Sequence, residues 1–408
     1  MSHTNPYMPP ALGESGGQLV AQVFSRAKAS LPPTSSAGGL VNWTEGLSNT
    51  GINTPRYAIN FAVSNGSSAD IDAVIVPKGL GAFQLAVADG TTTGGNKRGA
   101  NAVDIQSLRT AATQVAAANS VCIGVKNTSS PQGFAGGEGC NAGVSSVAIG
   151  YINQATGTGS VAIGGYGANS FYLNATGLCA AIIGGHGQGS AGGGANAAYS
   201  GILAGVYQSI TAAGTAAAIV GGSSHVVSGA YSATLGGFSC TVDGDYSVMH
   251  GYQGAGRTSI YGYTHSAIAF STNGDNQLQR HMMSASTTDA TQTRMTADRG
   301  AATAINTLVL PDNSAYVVTG QVMGRQNSTG DATAWTFTCL IRRGAGVGTT
   351  AMVVACTPTL VGADAGAATW ALAVDADTTL GGLRVRVTGQ AAKTIRWSGS
   401  TESNQVGG

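Results

Sequence analysis

Along residues 120–262 the apolar positions follow no helical period; they recur as a five-residue phrase closed by glycine. The phrase reads Ser120-Val-Cys-Ile-Gly124, Ser146-Val-Ala-Ile-Gly150 and Ser160-Val-Ala-Ile-Gly164. Looser copies are Ala180-Ala-Ile-Ile-Gly184, Ala217-Ala-Ile-Val-Gly221, Ser232-Ala-Thr-Leu-Gly236 and Ser247-Val-Met-His-Gly251. Closing glycines at 221, 236 and 251 stand 15 residues apart, and those at 150 and 164 stand 14 apart. A period that short holds one strand and one turn per rung, which predicts a parallel β-roll or solenoid over 120–274. Strand side chains alternate, so Val147 and Ile149 share one face and Ala148 takes the other. The branched pair is expected to fill the core, with alanine or cysteine allowing close approach on the opposite side. Gly150 is expected to give a corner its backbone freedom. Phe171-Tyr-Leu-Asn174 and Gly192-Gly-Gly-Ala-Asn196 interrupt the period and read as loops leaving the roll.

The flanks carry other patterns. Residues 1–33 hold a short helical candidate with Leu19, Val23, Phe24 and Ala27 on one face, closed by Pro32-Pro33. A helix that short is marginal alone, so its apolar face needs a sister copy or a docking surface. Residues 34–119 read as a small β-domain and a helical neck. Tyr57, Ile59, Phe61 and Val63 alternate, as do Phe83, Leu85 and Val87, and Asn65-Gly66 marks a turn. Ile105, Leu108, Ala112 and Val115 are spaced three, four and three, which predicts a helix at about 102–118 with Asn101 as cap. That helix either registers several chains at the entry to the roll or lies on its own domain. Residues 275–304 turn polar, with Arg280, Arg294, Asp298 and Arg299, and read as a connector. Residues 305–408 return to clean alternation. Trp335, Phe337, Cys339 and Ile341 share a face, as do Trp370, Leu372 and Val374, and Leu383, Val385 and Val387; Ile395 and Trp397 add another. Arg384, Arg386 and Arg396 take outward positions, and Asp312-Asn313 and Gly381-Gly382 signal turns. A terminal antiparallel β-sandwich is expected.

Composition sharpens this picture in one respect. Charged residues make up 9% of the 408-residue chain, against roughly 25% in ordinary soluble proteins. Glycine fills 63 positions, about twice its usual share of ~7%. Few charges are easiest to understand if much of the surface closes against identical chains, so a homo-oligomer is expected. A net charge of +1 gives no electrostatic case for nucleic acid. No membrane span is expected, and the first ten residues lack the basic and apolar regions of a secretory signal. The six cysteines show no CxxC and are expected to be reduced packing residues, with Cys122 standing where other copies have alanine.

Residues 146–157 and 160–166 resemble the head repeats of trimeric autotransporter adhesins. That resemblance covers about 120–262 and implies a left-handed parallel β-roll built as a trimer. A signal peptide, coiled-coil stalk and barrel anchor of the adhesin kind are not expected here. The flanks are similar instead to bacteriophage tail-fibre and tail-spike proteins. Gly94-Gly-Asn-Lys-Arg-Gly-Ala-Asn-Ala-Val-Asp-Ile-Gln106 looks like their entry into the roll. The stretch from Trp370 through 382–389 to Thr394-Ile-Arg-Trp397 looks like a terminal β-domain of phage fibres. These resemblances imply a mainly β homotrimeric fibre of a virion tail, assembled in the host cytoplasm. Its N-terminus, with Leu19, Val23 and Phe24, would join other tail or adaptor proteins, and the body would present a distal end to a host surface glycan or protein. The competing readings are a tail-spike depolymerase and a collar or head decoration fibre without a receptor role.

Candidate chemistry is sparse, and neither a cofactor nor a catalytic set is expected. Asp243 and Asp245 flank Gly244 and would share a face if extended, as glycoside hydrolysis needs, but turn chemistry explains them more simply. Glu138 is a lone acid in a loop. His250 takes the position of Ile149 in the phrase; were that face to line a threefold axis, three copies would converge and could hold an anion, water or metal. The blander reading is a histidine tolerated near the end of the roll. Tyr246, Tyr252, Tyr261 and Tyr263, with Arg257 and His265, form the candidate glycan surface, because tyrosine faces stack on sugar rings. A layer capping the last rung competes with that reading.

Overall fold

A computed structural model describes the backbone strands 43–48, 58–63 and 83–85 and, with side chains, residues 98–165, 173–186, 194–256 and 262–407. Leu19, Val23, Phe24, Arg257 and Tyr261 lie outside the described residues, as does the Asn65-Gly66 turn. In the N-terminal unit Trp43–Ser48 pairs antiparallel with Ala58–Val63, which agrees with the alternation read there.

The repeated phrase forms a two-sheet parallel solenoid. Val121–Val125, Phe134–Glu138, Val147–Tyr151, Val161–Ile163 and Ala181–Ile183 stack in parallel, each phrase in register with the next. The ladder continues through Gly201–Ile202, Ala218–Ile219 and Ala233–Phe238 to Val248–Tyr252 and Gly262–Ser266. Opposite it runs an eight-stranded parallel sheet of two-residue strands, from Thr128–Ser129 to Thr241–Val242. Asn174–Ala175 and Gly194–Ala195 belong to this second sheet, so the interruptions expected there rejoin the roll at those residues.

The faces are the reverse of those expected from the sequence. Ala148 is fully buried between the sheets, while Ile149 points outward. Two sheets joined by such short turns enclose a narrow interior. Cys122, Ala135, Ala148 and Ala162 line one wall, and Ala142, Ala155 and Ala175 line the other. The interior widens where the rungs lengthen. Phe134 to Val147 spans 13 residues, whereas Ala233 to Val248 spans 15. Ile202 with Ile210, Ile219 with Val227, and Met249 with Val242 fill the wider end.

Residues 102–118 do not form a helix. Val103–Leu108 is a strand, parallel to Val121–Val125 with Ile105 opposite Ile123. It is the first rung described with side chains, and the backbone strand Phe83–Leu85 pairs parallel to it. Its inward side chains are polar: Asp104 is buried, paired with Arg98 at 2.6 Å, and accepts from Gln106 Nε2 at 2.9 Å. Gln106 Oε1 in turn accepts from the Asn127 backbone N–H. Val103 and Ile105 take half-buried outward positions in this strand, and a register shift between Gln106 and Leu108 leaves Leu108 exposed, which produced the three-residue spacing.

Residues 275–304 are likewise not a connector. Asn276–Thr287 is a twelve-residue strand that pairs antiparallel with Gly262–Ser266, so the solenoid sheet passes directly into the C-terminal one. The order continues through Ile395–Gly407 and Ser314–Gln326 to Ala332–Arg343. A second layer, Gln292–Arg294, Gly382–Thr388 and Ala371–Asp377, packs against it. The shared core holds Trp335, Phe337, Cys339, Ile341, Trp370, Val374, Leu383, Val385, Val387, Ile395 and Trp397, the inward set expected of an antiparallel sandwich. Trp397 stands 6.0 Å from Trp335 and 5.6 Å from Trp370 between ring centroids. Arg384 pairs with Asp375 at 2.6 Å, Arg386 also meets Asp375, and Arg294 meets Asp377.

Buried glutamines join the two parts. Gln277 accepts from the Ala255 N–H and donates to the Ala255 carbonyl, at 3.0 and 2.9 Å, much as another strand would. Gln405 Nε2 donates to Gln279 Oε1 at 2.7 Å. Backbone groups of the last rung are therefore satisfied by amides from the sandwich rather than by an aromatic lid.

Candidate assembly and recognition face

The solenoid holds its rungs together with a polar position that the phrase hides. At six rungs a buried polar or thiol side chain comes three residues after a positive-φ glycine: Gly124 and Asn127, Gly137 and Cys140, Gly150 and Asn153, Gly205 and Gln208, Gly222 and His225, Gly237 and Cys240. Asn127 Nδ2 donates to the Gly137 carbonyl at 2.8 Å, Asn153 Nδ2 to that of Gly164 at 2.5 Å, and Gln208 Nε2 to that of Gly222 at 2.8 Å. Cys140 and Cys240 thiols reach the carbonyls of Gly150 and Gly251 in the same way. Gly150, at φ 136°, lies within the strand and not at the corner; a Cβ there would meet the Asn153 amide. The signal was present in the sequence as Gly-x-x-(Asn, Gln, His or Cys), masked by the louder apolar phrase. Burial pushes the Cys122 thiol up to about 12 and raises those of Cys140 and Cys240, as packing cysteines require. The described cysteines form no disulfide.

Outward from this frame runs an apolar row. Ile123, Ile149, Ile183, Leu203, Val220 and Leu235 are all exposed, Ile183 and Leu203 at 50% and 55%. His250 and His265 continue the row, in register on adjacent strands. It then crosses the sandwich sheet through Leu278, Asn404, Val317 and Leu340.

The predicted aromatic site is divided. Tyr246 stacks on Tyr231 at one corner, with centroids 5.1 Å apart and planes 5° apart. Tyr252 stacks on Phe238 at 5.0 Å where the strand ends. Tyr263 stands beside His250 on the strand face, its hydroxyl 3.3 Å from Nδ1. All three tyrosines are exposed, so they do not cap the last rung. Burial, and then the neighbouring His265 imidazole, hold His250 below the usual histidine range. Asp243 accepts from the Ser228 hydroxyl and Asp245 from the Ala230 N–H, both at 2.7 Å, which is the turn role. Glu138 is exposed at the end of its strand. Among the described residues no three His, Cys, Asp or Glu side chains of one chain converge on a metal-sized site, and no helix is long and apolar enough to cross a membrane.

These features define the class: a mainly β chain whose body is a parallel two-sheet solenoid continued by an antiparallel sandwich. No family model and no curated protein matches the chain. Among solved structures, the tailspike protein of Acinetobacter baumannii phage AM24 is similar over 76% of this chain, at 9% identity and a TM-score of 0.19. The chain spans 58% of that tailspike, and likeness at this level carries no argument about function.

Proposed function

We propose that the chain is a non-enzymatic fibre of a bacteriophage tail, self-associated as a homotrimer, that attaches the virion to a host surface glycan or protein. The observation that carries this reading is the exposed row from Ile123 to Leu235. Soluble monomers rarely leave so long an apolar row in water. Covering the exposed half of each side chain would contribute about 1 kcal/mol per residue per chain. A stripe that recurs at most rungs, with Gly136 taking one place in it, is best covered by a partner with the same repeat, which a second and third copy supply. The adhesin-like phrase and the phage-like flanks support this arrangement and a tail location. The turn roles of Asp243 and Asp245 support a binding rather than a cleaving fibre.

Sedimentation of the full chain tests the assembly, and incubation with host capsule or lipopolysaccharide tests the role. The expected results are a trimer and glycan or cell binding without shortening of the glycan. A monomer would overturn the assembly reading. Shortened glycans would replace the fibre by a depolymerase, and the absence of any binding would favour a decoration fibre.

A further inference from the structure

We propose that His250 and His265 form a bis-imidazole site for a divalent transition-metal ion of the nickel or cobalt type. The two rings occupy the same column on adjacent parallel strands, with centroids 4.3 Å apart and planes inclined by 36°. Two imidazoles bound cis to one ion at about 2.1 Å have centroids about 4.5 Å apart at a right angle, and about 5 Å apart at a tetrahedral angle. The observed spacing of 4.3 Å lies close to the right-angle value.

The surroundings suit a ligand as well. Tyr263 Oη lies 3.3 Å from His250 Nδ1. Metal at Nε2 selects the tautomer in which Nδ1–H donates to that oxygen, the outer partner that ligating histidines ordinarily have. The nearest cation along the adjoining column, Arg280, is paired with Glu402 at 2.5 Å, so its charge is balanced. Leu235 precedes the pair and Leu278 follows it along the row, leaving the imidazoles as the coordinating groups of this stretch.

One chain supplies two nitrogens, and the completed shell rests on the trimer proposed above. If the row is where copies meet, three pairs supply six imidazoles, a shell that suits nickel and cobalt better than zinc, which prefers four ligands. The ion would then pin the chains at the junction of solenoid and sandwich, where the apolar row is broken.

Equilibrium dialysis of the full-length protein against nickel, with sedimentation on the same samples, tests this. One ion per three chains in a trimer, lost in H250N/H265N while the trimer persists, is the expected result. Tyr263→Phe should weaken uptake about tenfold, as loss of an outer partner does. With cobalt, the weak visible absorption of an octahedral ion is expected. One ion per chain in a monomer, abolished by the same double variant, would support the histidine pair and sink the trimer. No uptake by the native protein, or uptake unaltered in H250N/H265N, would overturn the site. H265N serves as a second variant, because His265 is exposed and its loss leaves the fold intact.

Discussion

A single missing side chain decides how the rungs close. At Gly150 the backbone sits at φ 136° and the vacated space receives the Asn153 amide, which donates to the Ile149 and Gly164 carbonyls at 2.7 and 2.5 Å. Gly150→Val would strain the backbone and displace that amide, so thermal unfolding should show a loss of at least about 2 kcal/mol. An unchanged melting profile would refute the role. Asn153→Ala leaves those carbonyls without their buried partner and should cost about 1–3 kcal/mol by the same measurement. Histidines set an acid limit. His281 is buried under the sandwich sheet, and burial lowers its pKa from 6.5 to about 4; burial also lowers that of His225. The unfolded chain therefore binds protons that the folded one refuses as pH falls below about 6.5. The histidine contribution should be constant above that value and fall by on the order of 3 kcal/mol toward pH 4 for His281 alone. Denaturant midpoints across that range check it, and His281→Gln should flatten the slope.

At the scale of elements, short apolar spacings proved ambiguous where the repeat was incomplete. Ile105 and Leu108 fit a helical seam by spacing alone, and the deciding fact was long-range pairing with Val121–Val125, whose register shift lets one strand carry both. Residues 275–304 looked too polar for a strand because Gln277, Gln279 and His281 point inward, where neighbouring amides and Ala255 satisfy the glutamines. The sandwich strands were legible because their inward residues are large and uniformly apolar. The exposed row makes a prediction of its own: Leu203→Asp should leave the solenoid folded, because that side chain lies outside the single-chain core. Sedimentation should then show a smaller species. Unfolding by circular dichroism, with no change in mass, would place Leu203 in a core within one chain.

For the whole molecule, the solenoid and the sandwich share one continuous sheet, since Gly262–Ser266 is parallel to one neighbour and antiparallel to the other. That junction makes the body a single mechanical unit from the first described rung to the last strand. The tail-fibre proposal assigns attachment to the N-terminal segment. Deleting residues 1–33 should give a folded oligomer that fails to join particles, read by immunodetection on purified virions. Truncated chain on assembled particles would contradict the assignment.

The repeat, its short period and the alternating strands of the last hundred residues were determined by the sequence, because each is a local consequence of side-chain periodicity. The direction in which each strand faces was decided only by tertiary structure. Alternation separates Ala148 from Ile149 but cannot say which is inside. The narrow space between two closely joined sheets admits the smaller residue and leaves the larger one on the surface. The same closure turned an isoleucine position into a row on which two histidines meet, and divided the tyrosines that stand near one another in the chain.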